Sequence, residues 1–361
     1  MKEMRWWLVG MVVVVVVVAA ALVVSGYCCR LTSLEALQRP LLRQRSRVDQ
    51  VVTRSSVMDA CDYVVDVMVQ PRFWSSCVSR RQVTLESVLQ ALHQQPLPRA
   101  RLYVPLPILN CHHRTLLKGL RPDQSVEVVS NHGDEPPLPA VWQELVADPR
   151  LHALYVNNVA LDFPGHPKVH YIPLGYGHDQ VYRRLVRSSW LLEVSLARVP
   201  GLQLWVKNHP RTQVLQHPPR KPWAEKECAV LCAFGPTGSE WTRPDLRRQC
   251  RAYLARHPFG RVQPFASKET YFGWHEDVAF ELSPFGNGVE CFRTWEALLL
   301  HTVPIVFHSP VDALYAGLPV CIVDRVEDIT VERLQAEKAR WAGWFETHNI
   351  RRELEVKRWL P

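Results

Sequence analysis

Three charged side chains near the C-terminal end of the chain recur at every third position. Glu290, Arg293 and Glu296 would share one face of a helix, which the pattern predicts over residues 290–300. Arginine holds phosphate oxygens through paired N–H groups, and a carboxylate can bridge the two hydroxyls of a ribose. We therefore expect Arg293 to bind a diphosphate and Glu296 a ribose, as a nucleotide sugar requires. Glu290 fits either a ligand contact or a carboxylate favoured by the dipole at a helix start.

The loop before this helix reads SPFGNG, over residues 283–288. Glycine lets the backbone approach a ligand, and the first turn of a helix offers free N–H groups and a positive dipole end to a phosphate. We expect Ser283, Gly286, Asn287 and Gly288 to shape the donor pocket, with the two glycines in a turn that needs positive φ. Arg247 and Arg248, on a helix predicted further upstream, can supply further positive charge.

Short apolar runs and helical patterns must position these residues. Val278–Leu282 and Val303–Phe307 read as strands on either side of the loop and helix, which is an α/β unit. Other apolar runs lie at 101–107, 126–130, 151–156, 169–174, 228–234, 261–264 and 320–323. Strands that alternate with helical segments predict parallel sheets.

Longer strings around the site match a known pattern. The string S-P-x-G-x-G-x-E-C-x-R-x-W-E-A-L, followed by P-I-V and S-P-x-D-x-L-Y, resembles the exostosin-like glycosyltransferases, including the C-terminal half of the ribitol-xylosyltransferase group. Residues 155–175, YVNNVALDFPGHPKVHYIPLG, are similar to the asparagine–HPK–IPLG segment of those proteins. The resemblance implies an enzyme that transfers a sugar from a UDP-linked donor to a hydroxyl of a glycan or glycoconjugate.

The domain organisation expected from these patterns is an α/β fold of the GT-B type, with two Rossmann-like domains that face a cleft and an N-terminal transmembrane helix. A proline-rich stretch at 209–223 joins the two halves. The predicted segments are an anchor (1–27), a stem (28–50), an acceptor-side domain (51–222), a nucleotide-sugar-binding domain (223–335) and a C-terminal helix that packs back on the N-terminal domain (336–361).

The catalytic base of an inverting transfer should come from the N-terminal half, across the cleft. Candidates are Asp134 and His132 in SNHGDE, and Asp162 before HPK. The chain contains no D-x-D, the carboxylate pair with which metal-dependent glycosyltransferases hold manganese. We therefore expect no metal and no tightly bound cofactor: the UDP-sugar is a co-substrate, and protein cations stabilise the leaving phosphate.

Two departures from the family pattern keep another interpretation open. Phe285 stands where relatives carry a basic residue, and Phe292 stands where some carry histidine. A catalytically inactive relative that binds nucleotide, glycan or a partner enzyme is the alternative. A dehydrogenase would need G-x-G-x-x-G, and the loop lacks the third glycine.

The N-terminus predicts a membrane anchor, since residues 6–24 form an apolar run that includes seven consecutive valines. The family resemblance implies a single-pass type II protein with its catalytic part in the Golgi lumen, whereas the arginines that follow the run favour the opposite orientation. A net charge of +8 suits an acidic substrate, and the spread of the arginines argues against nucleic acid. Ten cysteines permit disulfides in a lumenal protein but do not establish them.

Overall fold

The structure, a computed structural model, describes residues 57, 60–65, 85–94, 97, 99–131, 136–176, 219, 221–236, 242–264 and 266–360. The predicted anchor, the stem and most of the proline-rich joint lie outside these residues. Within the described part of the chain, no helix is long and apolar enough to cross a membrane.

The N-terminal half contains a five-stranded parallel sheet in which the strands follow chain order, β1-β2-β3-β4-β5. The strands are β1 (Tyr63–Val64), β2 (Arg99–Tyr103), β3 (Ser125–Ser130), β4 (Leu151–Val156) and β5 (Val169–Tyr171). The helices are α1 (Leu85–Gln94), α2 (Leu106–Gly119) and α3 (Pro139–Ala147). Since each described strand is added at the same edge, this sheet has no reversal of strand order.

The C-terminal half contains a second five-stranded parallel sheet, and here the order reverses: β10-β9-β8-β6-β7. Its strands are β6 (Glu227–Cys232), β7 (Gly260–Val262), β8 (Val278–Leu282), β9 (Val303–Phe307) and β10 (Cys321–Val323). Its helices are α4 (Leu246–Leu254), α5 (Lys268–Trp274), α6 (Phe292–Leu299), α7 (Val331–Arg340), α8 (Trp344–Thr347) and α9 (Ile350–Glu353). Short 3-10 turns lie at Trp223–Glu225, Asp312–Tyr315, Val326–Asp328 and Val356–Arg358.

Burial explains why the sequence pattern predicted these strands well. All residues of β8 and β9 are buried, as expected where a parallel sheet is covered on both faces. Such strands read as continuous apolar runs, and the bounds of β4, β8 and β9 agree with the predictions. The protein is therefore a mixed α/β protein with parallel sheets, and both sheets belong to one unit, Ser46–Pro361.

The C-terminal helical pattern is interrupted in the structure. After α7 the chain forms only the one-turn helices α8 and α9 and a 3-10 turn, so a single long helix is wrong. The sequence placed this segment against the N-terminal domain. Two of its hydrogen bonds lie within the C-terminal half, where Lys338 donates to the carbonyl of Lys226 and Trp344 to that of Gly317.

Candidate functional site

The carboxyl ends of β6 and β8 lie side by side at the point where the strand order reverses. The chain leaves β6 for β7 on one side and then returns to β8 on the other. Because parallel crossovers are right-handed, the two connections cover opposite faces and leave a crevice between the strand ends. Phe234 follows β6 at this crevice, with the Arg293 guanidinium 5.0 Å and the Arg247 guanidinium 5.8 Å from its ring centroid. We call Phe234, Arg247, Cys291 and Arg293 the switch-point site.

Arg293 lies at the start of α6 with its side chain 15% exposed. Among the described residues its guanidinium donates one hydrogen bond, from Nη1 to the Cys291 sulfur at 3.3 Å. Its Nε lies 3.6 Å from Glu281 Oε1, which is an ion pair without hydrogen-bond geometry. Burial opposes its charge, but the neighbouring Cys291 and Glu281 outweigh burial and raise the pKa of Arg293. Arg293 is therefore a permanent cation, and most of its guanidinium N–H groups make no hydrogen bond to Cys291 or Glu281.

Arg247 brings a second cation to the same place. Its Nε donates to the carbonyl oxygen of Phe285 at 2.9 Å, which fixes the side chain against the 283–288 loop. Burial and then the charge of Arg293 lower the pKa of Arg247. Burial and the charge of Arg293 thus disfavour the charged form of Arg247, and an anion bound beside both arginines favours it. Arg248, one residue further on, is exposed and pairs with Asp245 at 2.9 Å.

The Glu296 carboxylate is buried and forms an ion pair. Its side chain is 1% exposed, and Lys268 Nζ lies 2.7 Å from Glu296 Oε2. Lys268 begins α5, is 32% exposed, and its ammonium lies 4.4 Å from the ring centroid of Tyr271. In this conformation Lys268 is paired with the carboxylate that the sequence analysis predicts to bind a ribose.

Glu290 lies outside the helix, so the prediction that it shares a face with Arg293 and Glu296 is wrong. Helix α6 begins at Phe292, after an N-cap at Cys291, and no acidic residue lies in its first turn. The Glu290 carboxylate instead accepts hydrogen bonds from the backbone N–H of Leu174, at 2.9 Å, and from the Trp295 indole. Burial raises the pKa of Glu290 well above its usual value. Both of its oxygens therefore accept protein hydrogen bonds, and one of these comes from the N-terminal half.

The glycines of the loop serve close packing, not a left-handed turn. Neither Gly286 nor Gly288 has positive φ, so that prediction is wrong. A Cβ on Gly288 would lie 2.5 Å from the Asn158 side-chain nitrogen. Asn158 Oδ1 accepts a hydrogen bond from the N–H of Val289 at 3.2 Å, which joins the end of the N-terminal sheet to this loop.

Other predicted residues of the loop also have protein partners. The Ser283 hydroxyl lies 2.9 Å from Thr294 Oγ1 and 3.1 Å from Cys291 Sγ, and it therefore helps to hold the start of α6. Asn287 is exposed at the tip of the loop. Phe285 is buried and packs 6.1 Å from the Phe307 ring.

One of the three predicted catalytic bases lies in the described part of the chain. Asp134 and His132 lie outside the described residues. Asp162 is exposed and lines a cavity of about 220 Å³ with Trp142 and Phe163, formed by the N-terminal half.

Sequence reasoning missed a group of buried polar residues beneath Arg293. Glu281 of β8 is fully buried, and the Tyr271 hydroxyl donates to both of its oxygens at 2.9 Å. His275 is also fully buried, with its Nε2 3.3 Å from Glu281 Oε2. The signal available in the sequence was a single carboxylate within the apolar run VAFEL.

A cavity of about 480 Å³ lies beside the loop at the carboxyl ends of β9 and β10. Phe307, Arg243 and Asp324 are among its lining residues. The Arg243 guanidinium also lies 5.7 Å from the ring centroid of Phe285. The backbone carbonyl of Phe285 accepts the hydrogen bond from Arg247 on the other side. This cavity and the switch-point site therefore flank the same loop.

No family model matches the chain, and no curated protein matches it. Within the described residues, no group of three or more His, Cys, Asp or Glu side chains could hold a metal ion. Fold and site together define a mixed α/β protein with two clustered arginines at a sheet switch point, and the exostosin-like resemblance stays a prediction.

Proposed function

We propose that this protein is an exostosin-like glycosyltransferase that moves a sugar from a UDP-linked donor to a glycan or glycoconjugate hydroxyl. Transfer is inverting and needs no metal. The observation that carries the proposal is the pair Arg293 and Arg247, which face one phenylalanine ring at the only reversal of strand order in the described sheets. Ligands of open α/β sheets bind at such positions.

A diphosphate fits the electrostatics of the switch-point site. Its negative charge favours the charged form of Arg247, which burial and the nearby Arg293 disfavour. The uncommitted N–H groups of Arg293 supply directional donors, and the same cations stabilise charge on the departing nucleotide. In this way protein groups take the role that a divalent metal has in other glycosyltransferases.

The ribose and base then occupy the two sides of the same loop. Glu296 accepts the ribose hydroxyls once Lys268 turns away from it, and the freed ammonium is then available to the diphosphate. Lys268 is the exposed partner of the pair, so this movement leaves the backbone in place. The cavity beside Phe307, about 480 Å³, has room for a nucleoside.

The GT-B arrangement is part of the proposal. Asn158 with Val289, and Leu174 with Glu290, connect the ends of N-terminal strands to the donor loop. Such contacts support a cleft between the carboxyl edges of the two sheets, in which acceptor and donor meet. The N-terminal half supplies the acceptor contacts and the base, with Asp134, His132 and Asp162 as candidates.

A lumenal, type II placement agrees with one feature of the cysteines. Cys111 is disulfide-bonded, and disulfides persist in oxidising compartments such as the secretory pathway. Five other described cysteines are free thiols (Cys228, Cys232, Cys250, Cys291 and Cys321).

An inactive nucleotide-binding relative is the second candidate. The Lys268–Glu296 pair favours it, because the pair keeps the predicted ribose ligand away from solvent. Phe285 also favours it, because this buried apolar side chain supplies no cation to a diphosphate. Binding of UDP without turnover of any UDP-sugar identifies this case.

The deciding experiment is calorimetric titration of the detergent-solubilised full chain with UDP, followed by a hydrolysis screen of UDP-sugars. We expect UDP to bind, and Arg293→Gln to weaken binding at least tenfold. Arg248→Gln is the matched control, since this exposed arginine neighbours Arg247 but pairs with Asp245. Absence of UDP binding, or equal loss in both variants, would overturn the proposal.

A further inference from the structure

Glu281 is a carboxylate inside a strand whose other residues are apolar. Strand β8 reads VAFEL, and every residue in it is buried. Withdrawing a carboxylate from water costs free energy unless partners compensate it, and an aliphatic side chain would satisfy the sheet equally well. The position therefore calls for an explanation beyond packing.

The contacts of Glu281 point to Arg293. Tyr271 donates to both carboxylate oxygens at 2.9 Å, while the Arg293 Nε lies 3.6 Å away, beyond hydrogen-bond range. The Nη1 of the same guanidinium is directed to the sulfur of Cys291. Glu281 thus attracts the guanidinium electrostatically without consuming its donors.

Two opposed effects set the charge of Glu281. Burial raises the pKa of Glu281 well above its usual value, and the charge of Arg293 and the Tyr271 hydrogen bond act in the other direction. The other titratable groups around it belong to three neighbouring elements. They are His275 and Lys268 with α5, Cys291 and Glu296 with α6, and Lys226 and Cys232 with β6.

An anion at Arg293 changes this balance. Its negative charge offsets the cation that favours ionised Glu281 and adds repulsion of its own. Protonated Glu281 avoids that repulsion and still contacts Tyr271. His275 is a poor alternative acceptor of the proton, since burial lowers the pKa of His275 well below its usual value.

We propose that Glu281 is the positioning residue of the switch-point site: ionised, it holds the Arg293 guanidinium in place, and on anion binding it takes up a proton from water. The proposal rests on the proposed function only in taking Arg293 as the anion ligand. The consequence is that affinity for a diphosphate increases as the pH falls through the titration range of Glu281.

Calorimetric titration of the full chain between pH 5 and 9, in buffers of different ionisation enthalpy, tests this inference. The probes are inorganic pyrophosphate and UDP. We expect wild-type protein to take up a net proton over part of this range, with Kd falling up to about tenfold per pH unit there. Glu281→Gln should take up fewer protons than wild type. Its remaining uptake belongs to the ligand and to the Cys291 thiol, whose pKa Arg293 also lowers, so the difference between the two proteins isolates Glu281.

Tyr271→Phe provides a second variant if Glu281→Gln does not fold. It removes a hydrogen bond that favours the carboxylate, so the pH range of proton uptake should move upward.

Identical proton uptake in wild type and Glu281→Gln, or an unmoved range in Tyr271→Phe, would overturn the inference and leave the proposed function standing. Proton-linked binding of pyrophosphate without preference for UDP would support the inference and contradict the nucleotide donor. Failure of both anions to bind would overturn both.

Discussion

Lys268 and Glu296 form an ion pair in which only one partner reaches solvent. The ammonium lies 2.7 Å from the carboxylate, and the side chains are 32% and 1% exposed. The pair connects the first residue of α5 to the middle of α6, so it holds together two helices that flank β8. It also keeps solvent away from the Glu296 carboxylate, which the sequence pattern predicts to bind a ribose.

Lys268→Met should remove the ammonium that lies 2.7 Å from the buried Glu296 carboxylate. We expect the free energy of unfolding to fall by about 2 kcal/mol, a modest value for a broken buried pair because water can reach the lysine side. Urea denaturation measures the change. Lys357→Met is the control, since Lys357 is 81% exposed and pairs with Glu355 at the surface. Similar losses in the two variants would contradict the view that Glu296 depends on Lys268.

Lys226 should make stability depend on pH above neutrality. It is fully buried and donates to the carbonyl oxygens of His275 and Leu300 at 2.7 and 2.8 Å. Burial lowers the pKa of Lys226 to about 7, against 10.5 for an ordinary lysine. Between these values the unfolded chain binds more protons than the folded one. The stability that Lys226 contributes is therefore present above pH 10.5 and is lost as the pH falls towards 7.

Comparison of wild type with Lys226→Met isolates this effect. The difference in free energy of unfolding should shift in favour of wild type as the pH rises from 7 to 10, by up to about 4 kcal/mol. Urea denaturation at each pH provides the measurement. A difference that stays constant over this range would mean that Lys226 remains an ammonium in the folded protein.

Gly288→Ala should disturb the contact between the two halves. Its new Cβ would meet the Asn158 amide at 2.5 to 2.8 Å and push it away from the Val289 N–H. We expect a loss of about 1–3 kcal/mol in the free energy of unfolding. Gly273→Ala is the matched control, because nothing lies within 4 Å of a Cβ at this exposed helical position. There the change should be neutral or stabilising by up to about 1 kcal/mol.

Cys291 should be the most reactive of the cysteines in the C-terminal sheet and its helices. Burial opposes ionisation of its thiol, but Arg293, the Ser283 hydroxyl and Arg247 outweigh burial and lower the pKa of Cys291. Burial raises the pKa of Cys232 and of Cys250 to about 12. Thiolates, not thiols, react with alkylating reagents.

Iodoacetamide labelling followed by mass spectrometry compares these cysteines in one sample. We expect Cys291 to label first at pH 7.5, more slowly in Arg293→Gln, and more slowly when pyrophosphate is present. Labelling of Cys291 no faster than that of Cys232 and Cys250 would contradict the charge environment assigned to the switch-point site.

The sequence predicted the strands of the C-terminal half because their burial on both faces leaves a continuous apolar run. Strands β8 and β9 and the loop between β8 and α6 could be placed for this reason. It predicted the start of α6 less well. The chain there is extended at Cys291, and Glu290 satisfies its carboxylate with donors from Leu174 and Trp295 instead of the helix.

The sequence by itself determined the alternation of strands and helices, the apolar N-terminal run and the residue types around the donor loop. Only the tertiary structure decided which charges meet. The reversal at β6 and β8 brings Arg247 and Arg293 to one ring, although 46 residues separate them. The tertiary structure also buries Glu281 beneath Arg293 and pairs the buried Glu296 with Lys268. Charge pairing of this kind depends on strand order and helix packing, which no local periodicity records.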